Sequence, residues 1–400
     1  MLVSQVIELR PSQRQEEAFR RHAAAARIAR NDLIALWREG GKRLTGFRLK
    51  TVELRPQVNR VKYAAHPWFR DLSQNAVKGG MIDAVDAIER YYRGQNRRPR
   101  FHGRNRTLAF RADNGPSTVK LAGKALLLPA KAGGTVRTKE PLRWPGQVIR
   151  ECRIKEKAGR WFASVRVELD PAEYPHQCGR GVLGIDLGLK TFATIAYPDG
   201  TIEKVQAPQP LRGSLKALRR AQRRLSRRRK GSRNREKARQ AVARRHSRMA
   251  NIRKDFLHQL SHRVTASGHT VQVERLSVKG WQRRWGRKTS DLAPAEFLRQ
   301  LEYKAAWRGG EFVEADWHFP SSQLCHACGS QGSALDLDVR RWRCHSCGSI
   351  LDRDGNAALN IRDWPGATRS LPVDANGKTS NVEALAVEAG TACPETIGAN

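Results

Sequence analysis

Nowhere in these 400 residues does an apolar run approach the roughly 20 residues that a membrane-spanning helix requires. The first ten residues lack a basic stretch followed by an apolar core, so no secretory signal is expected. Acidic residues are scarce: 38 Asp and Glu face 75 Lys and Arg, leaving a formal net charge of +37. No amphipathic basic helix with an aromatic face stands out, which disfavours a membrane surface as the partner. Cysteines are few, seven in all, and the odd number fits reduced thiols better than a disulfide framework. These absences leave a cytoplasmic protein with a polyanionic partner, and nucleic acid is the partner expected. A hydrophobic content of 39% and ten Trp point to a folded chain rather than a disordered polycation.

The pattern changes along the chain. Residues 1–10 read as a strand stopped by Pro11, and residues 12–40 and 72–93 as helices. From 105 to 172 the signals are short strands and turns, with clear alternation over Trp161–Leu169. This order predicts a small β-domain with a helical insertion. An apolar run then ends in Asp186. Thr191–Tyr197 and Thr201–Val205 flank Pro198-Asp199-Gly200, predicting an antiparallel three-strand start. A helical basic segment over 211–265, a strand over His269–Val273, a helix over 295–308, a strand over Glu311–Ala315 and a short helix over Arg353–Arg362 follow.

Four of the seven cysteines fall within 23 residues as Cys325-His-Ala-Cys328 and Cys344-His-Ser-Cys347, each pair followed by glycine. Two thiolates two residues apart grip one metal from a tight turn, and the glycines let that turn close. Four sulfurs fill a tetrahedral Zn²⁺ shell with no open position, which predicts a structural site. His326 and His345 are then expected to face solvent or nucleic acid.

Three acids stand where a side chain can be aimed. Asp186 ends an apolar strand, Glu274 follows Val271-Gln-Val, and Asp354 opens the Ala-rich helix. Three carboxylates from separate segments suffice for two Mg²⁺ ions roughly 3.5–4 Å apart, with Mn²⁺ an acceptable substitute, the arrangement that cleaves phosphodiesters. Alone, each acid is as readily a surface ion pair or a helix cap.

From Leu211 to Asp255 there are 19 basic residues against two acids, so this stretch supplies +17 of the +37. Arg219, Arg220, Arg223, Arg224, Arg227, Arg228 and Arg229 would ring any helix they form. Such density self-repels without a counter-charge, which predicts tracking of a phosphate backbone. Only Trp281 and Trp285 lie nearby for stacking, so backbone recognition is favoured over base readout.

Taken in order, these segments resemble the TnpB (OrfB) family of insertion-sequence-encoded proteins, relatives of type V CRISPR effectors. The resemblance rests on Gly184-Ile-Asp-Leu-Gly188, Val273-Glu-Arg-Leu276, Ser321–Gly329, Cys344–Gly348 and Asp352–Ile361, with weaker support from Arg10–Gln13, Ala26-Arg27, Arg30-Asn31, Arg98–Phe101 and Leu301–Ala305. It spans roughly residues 5–362. It implies an α/β multidomain protein with an RNase H-like (RuvC-type) nuclease core interrupted by a zinc ribbon, plus an OB-like β-barrel wedge carrying a helical insertion.

The implied boundaries are a wedge strand at 1–14, a recognition insertion at 15–105, the wedge barrel at 106–178, the nuclease at 179–320, the ribbon at 321–350, a last nuclease helix at 351–363 and a disordered tail at 364–400. The resemblance places Asp186, Glu274 and Asp354 at the catalytic positions and Cys325, Cys328, Cys344 and Cys347 at the zinc positions. It implies a guide RNA transcribed from the element, a double-stranded DNA target beside a short adjacent motif, and a prokaryotic protein that joins the nucleoid when on DNA. A monomer is expected. A miniature CRISPR effector, an RNA-guided repressor and a DNA-joining transposase stay open as alternatives.

Overall fold

The computed structural model describes residues 2–40, 51–104, 107–113, 118–170, 179–332, 336 and 339–365. Cys178, Cys393 and nearly all of the tail expected at 364–400 lie outside them. The chain forms two compact units. One contains Met1–Tyr174 with Ser214–Asn251, the other Pro175–Gly213 with Ile252–Asn400. Among the described residues no helix is long and apolar enough to cross a membrane.

The first unit opens with strand β1 (Leu2–Arg10), then helices α1 (Gln13–Gly40), α2 (Thr51–Ala65) and α3 (Gln74–Tyr92). Strands β2 (Ala109–Arg111), β3 (Lys120–Ala122), β4 (Ala125–Leu127), β5 (Thr135–Thr138), β6 (Ile149–Lys157) and β7 (Arg160–Glu168) complete an antiparallel sheet in the order β2-β6-β7-β1-β5-β4-β3. Alternation decides which face of β1 is buried: Val3, Gln5, Ile7 and Leu9 point inward. Gln5 satisfies its buried amide by donating to the Pro141 carbonyl and accepting from the Arg143 N–H. Among the described residues β2 and β3 do not pair, so the sheet has two edges rather than a closed wall.

Helices α1 and α3 approach closely at Gly80, where a Cβ would overlap the Ala26 backbone. Leu33, Ile34, Met81, Ala84 and Ile88 fill the space between the helices. One side of α1 holds the segment after α3. Arg30 donates to the Arg100 carbonyl, Arg38 to that of Pro99, and Asn31 both donates to and accepts from the His102 backbone. Two segments from the weaker part of the resemblance, Arg30-Asn31 and Arg98–Phe101, are thus drawn into one hydrogen-bonded clamp.

The basic segment is two helices, α4 (Pro210–Ser226) and α5 (Arg233–Ser267), not one. Gly231 turns the chain at φ 83°, and Ser232 caps α5 through its hydroxyl, which accepts from the Arg235 N–H. In the second unit, Asp291 accepts from the N–H groups of Leu211 and Arg212 at the start of α4. A buried carboxylate there complements the helix dipole.

The second unit is built on a five-stranded sheet: β8 (Val182–Leu187), β9 (Ala193–Ala196), β10 (Ile202–Val205), β11 (Thr270–Val273) and β12 (Glu311–Glu314), in the order β10-β9-β8-β11-β12. The first three strands form an antiparallel meander, while β11 runs parallel to β8 and β12 parallel to β11. Helices α6 (Val278–Leu292) and α7 (Pro294–Trp307) separate β11 from β12. Hairpin strands β13 (Arg341–Arg343) and β14 (Ile350–Asp352) lead into α8 (Arg353–Arg362).

Strand periodicity assigns the two faces of this sheet. Leu183, Ile185, Val271 and Val273 share a core with Leu260 and Val264 of α5 and Phe297 and Leu301 of α7. The opposite face carries Gly184, Asp186, Gln272 and, one step past β11, Glu274. Helix α8 covers that face. A Cβ on Gly184 would overlap the Ala358 carbonyl and the Arg362 backbone nitrogen. Gly184→Val should therefore lift α8 from the sheet. We expect a fall in thermal stability of at least about 2 kcal/mol; a variant with unchanged melting would refute this seat.

Candidate active site

Register brings two acids together. Ile185 pairs with Val273 across parallel strands, so Asp186 and Glu274 emerge side by side from the same face. The third arrives with α8. Asp352 takes the cap position, its side chain accepting from the Gly355 N–H and pairing with Lys204. Asp354 is thereby left in the first helical turn, facing the other two. All three carboxylates border one pocket of about 490 Å³, which Lys190, Lys288 and Arg353 also line.

Charge crowds this pocket. Burial pushes the Asp186 carboxyl well above the ordinary range, and the carboxylates of Glu274 and Asp354 push it further, against the pull of Arg353 and Arg340. Burial also raises Glu274, partly offset by a hydrogen bond with Asp186 and by Arg353. Arg340 donates to both oxygens of Asp354, at 2.9 and 3.2 Å. Three carboxylates bordering one pocket form an oxygen-donor set suited to hard divalent cations.

The four cysteines converge. Their sulfurs lie within 4.8 Å of one another, with Cys325–Cys347 at 3.8 Å and Cys328–Cys344 at 3.7 Å. A tetrahedral shell with Zn–S bonds of about 2.3 Å has edges of roughly 3.8 Å, so the donor set fits. The two turns are built alike: Gly329 N–H donates to Cys325 and Gly348 N–H to Cys344, with both glycines left-handed at φ 72° and 71°. Hydrogen bonds from Ser330 and the second turn's backbone draw the Cys344 thiol down to about 5, and Ser349 and its backbone lower Cys347. Burial pushes Cys325 up to about 12. His345 is exposed, and neither histidine belongs to the sulfur set.

The ribbon is tied to the helix that bears Asp354. Asn356 donates to the Leu324 carbonyl, and Asn360 to those of Ser321 and Leu324. Asn356 also accepts from the His326 N–H. These two asparagines are buried one helical turn apart, and their i,i+4 spacing inside an Ala-rich helix was the available signal. Arg340, Arg353 and Lys190 were not anticipated from the sequence. Only the position of Arg353 between two acids hinted at a role.

In the first unit Arg219, Arg220, Arg223, Arg224, Arg227 and Arg228 line one concavity of about 760 Å³ with Lys216. The last two lie past the end of α4, and Arg229 sits exposed in the turn that follows. Leu218 is buried, so the helix is not ringed by charge but has one apolar face.

Comparison with known proteins agrees with this layout. Residues 164–284 match the OrfB_IS605 family, described as a probable transposase, and residues 295–361 match the Cas12f1-like TNB domain. A protein of Streptomyces pristinaespiralis is 36% identical over 277 residues, covering 69% of this chain and 67% of its own length. One from Mycobacterium tuberculosis H37Rv is 32% identical, covering 88% and 84%. Both bear a name that provisionally assigns an RNA-guided DNA endonuclease. The fold is similar to that of Cas12f1 in a cryo-EM complex with sgRNA and target DNA, with a TM-score of 0.57 over 88% of this chain and 83% of that one, at 16% identity. At these identities and coverages, the chain belongs to the TnpB (OrfB) family of RNA-guided DNA endonucleases.

Proposed function

We propose that this chain is the RNA-guided DNA endonuclease of an insertion sequence. It holds an RNA transcribed from its element and cuts double-stranded DNA beside a short adjacent motif, using Asp186, Glu274 and Asp354 with two Mg²⁺ ions. The observation that carries the reading is the convergence of the three carboxylates in one pocket on one sheet face. The strand order, three antiparallel strands followed by two parallel ones, supports an RNase H-like, RuvC-type core.

Bound among the three carboxylates, the ions would supply a hydroxide nucleophile and neutralise the leaving 3′ oxygen. The chain's own part is to hold and orient. Asp186 and Glu274 are fixed by adjacent strands, and Asp354 by a helix seated on Gly184. Lys190, Lys288 and Arg353 bring positive charge to the same pocket, where a scissile phosphate needs it. Cys325, Cys328, Cys344 and Cys347 would hold Zn²⁺ in a closed, structural shell. On this reading the sheet of the first unit is the wedge, α1–α3 the recognition insertion, and the arginines of α4 and its following turn track a nucleic-acid backbone.

The test begins with the RNA that co-purifies with the protein. Its sequence should contain an element-end scaffold, and a programmed target should be cut in Mg²⁺ and left whole in EDTA. A complex that binds its target yet leaves it intact with Mg²⁺ or Mn²⁺ would overturn the proposal.

A further inference from the structure

The pocket of the three carboxylates and a hollow that shares Glu274 with it are lined by tryptophans that the proposed chemistry does not use. Trp281, Trp285 and Lys288 occupy successive turns of α6 and all line the pocket of the three acids. Trp281 packs partly on the core, but Trp285 is 37% exposed. The helix breaks at Trp285, whose φ of −129° and ψ of 35° are not helical. The break is held in place, because buried Thr289 donates its hydroxyl proton to the Trp281 carbonyl at 3.2 Å. A second hollow, of about 530 Å³, shares Glu274, Ser321 and Ser322 with the first and is lined by Trp317, which is 54% exposed.

We infer that these hollows are base-stacking subsites holding unpaired nucleotides of the cut strand on either side of the scissile phosphate, with Trp285 as the platform in one and Trp317 in the other. The inference rests on the nuclease reading above. Exposed indole faces beside a catalytic pocket offer flat π-surfaces on which a ligand's ring can stack. The flanking charges select the ligand: Lys190, Lys288 and Arg353 fit a phosphodiester chain, and indole fits a nucleobase. Paired bases within a duplex have both faces covered by their neighbours, so an indole can stack only on a nucleotide freed from its helix. Purines, with the larger face, should be preferred over pyrimidines at these positions.

The test uses the full chain with its co-purified RNA. In an Asp186→Asn background, 2-aminopurine is placed singly at each target position near the cut. We expect quenching at one or two positions flanking the scissile phosphate, relief of one in Trp285→Ala, and its retention in Trp285→Phe. In the active protein, Trp285→Ala should slow cleavage by about 10-fold or more, the equivalent of one lost base stack, with target affinity unchanged. An abasic nucleotide at the quenched position should slow the parent protein similarly and add nothing in Trp285→Ala. Quenching that is absent everywhere, or unchanged in Trp285→Ala, overturns the subsite, as does an abasic effect that persists in the variant. If quenching appears as expected but the parent protein cuts no target, the subsite stands and the nuclease reading fails.

Discussion

Asp186→Asn is expected to abolish DNA cleavage, by a factor on the order of 10³ or more, and at the same time to stabilise the protein when no divalent cation is present. The two effects share one cause. Burial and the neighbouring Glu274 and Asp354 raise the Asp186 carboxyl well above its ordinary range. A carboxyl with a raised folded-state pKa binds protons more tightly in the native than in the unfolded chain. Its favourable contribution is full below the unfolded value of about 3.9 and is lost as pH rises through the folded value. Above that window the native state carries repulsion that the amide removes. Metal-free Asp186→Asn should therefore melt higher than the parent near neutral pH, and the difference should shrink as the solution is acidified toward pH 4. Adding Mg²⁺ should raise the melting temperature of the parent and leave the variant nearly unmoved, since a ligand stabilises only the state that binds it. Binding of guide RNA and target should survive. A variant that still cuts, or a parent whose melting ignores both pH and Mg²⁺, would remove Asp186 from the site.

Much of this site was legible because it sits where local signals are strong. An apolar run ending in an acid, then Gly188, marked β8 and Asp186. The C-x-x-C pairs with trailing glycines marked the ribbon. From the sequence, Asp354 was as readily a helix cap as a metal ligand, and the hydrogen bond from the Gly355 N–H gives the cap to Asp352. Other features depend on partners distant in sequence. Gly184 reads as an ordinary strand glycine until α8 is laid across it. Arg340 precedes a three-residue strand whose pairing with β14 aims it at Asp354. Helix α6 was not anticipated, because Trp281, Trp285, Gly280 and Gly286 give no clean period and its kink at Trp285 leaves no mark in the residue pattern. The closed barrel implied by the resemblance is likewise a matter of long-range pairing, and the described strands form an open sheet. The grouping of 214–251 with the first unit could not be read from the sequence, because it divides one continuous helix, α5.

Cys344→Ser should have the second large effect, through a different route. The four sulfurs are spaced for one tetrahedral ion, and two of the thiols are already drawn toward thiolate by Ser330, Ser349 and backbone N–H groups. Structural zinc contributes folding free energy directly, of apparent magnitude about 10–16 kcal/mol in isolated zinc-finger peptides. With serine at 344, bound zinc should fall from about one per chain to near zero, and amide protection across 321–352 should collapse. The loss should spread to catalysis, because Asn356 and Asn360 fasten α8 to the ribbon backbone and Arg340 reaches Asp354 from the ribbon side. Cleavage should therefore drop sharply although all three acids are intact. The two variants separate the two metals: Asp186→Asn keeps its zinc and loses its response to Mg²⁺, whereas Cys344→Ser loses zinc first and activity as a consequence. Unchanged zinc content with a protected ribbon in Cys344→Ser would refute the four-sulfur centre. Lost zinc with undiminished cleavage would refute the link through Asn356 and Asn360.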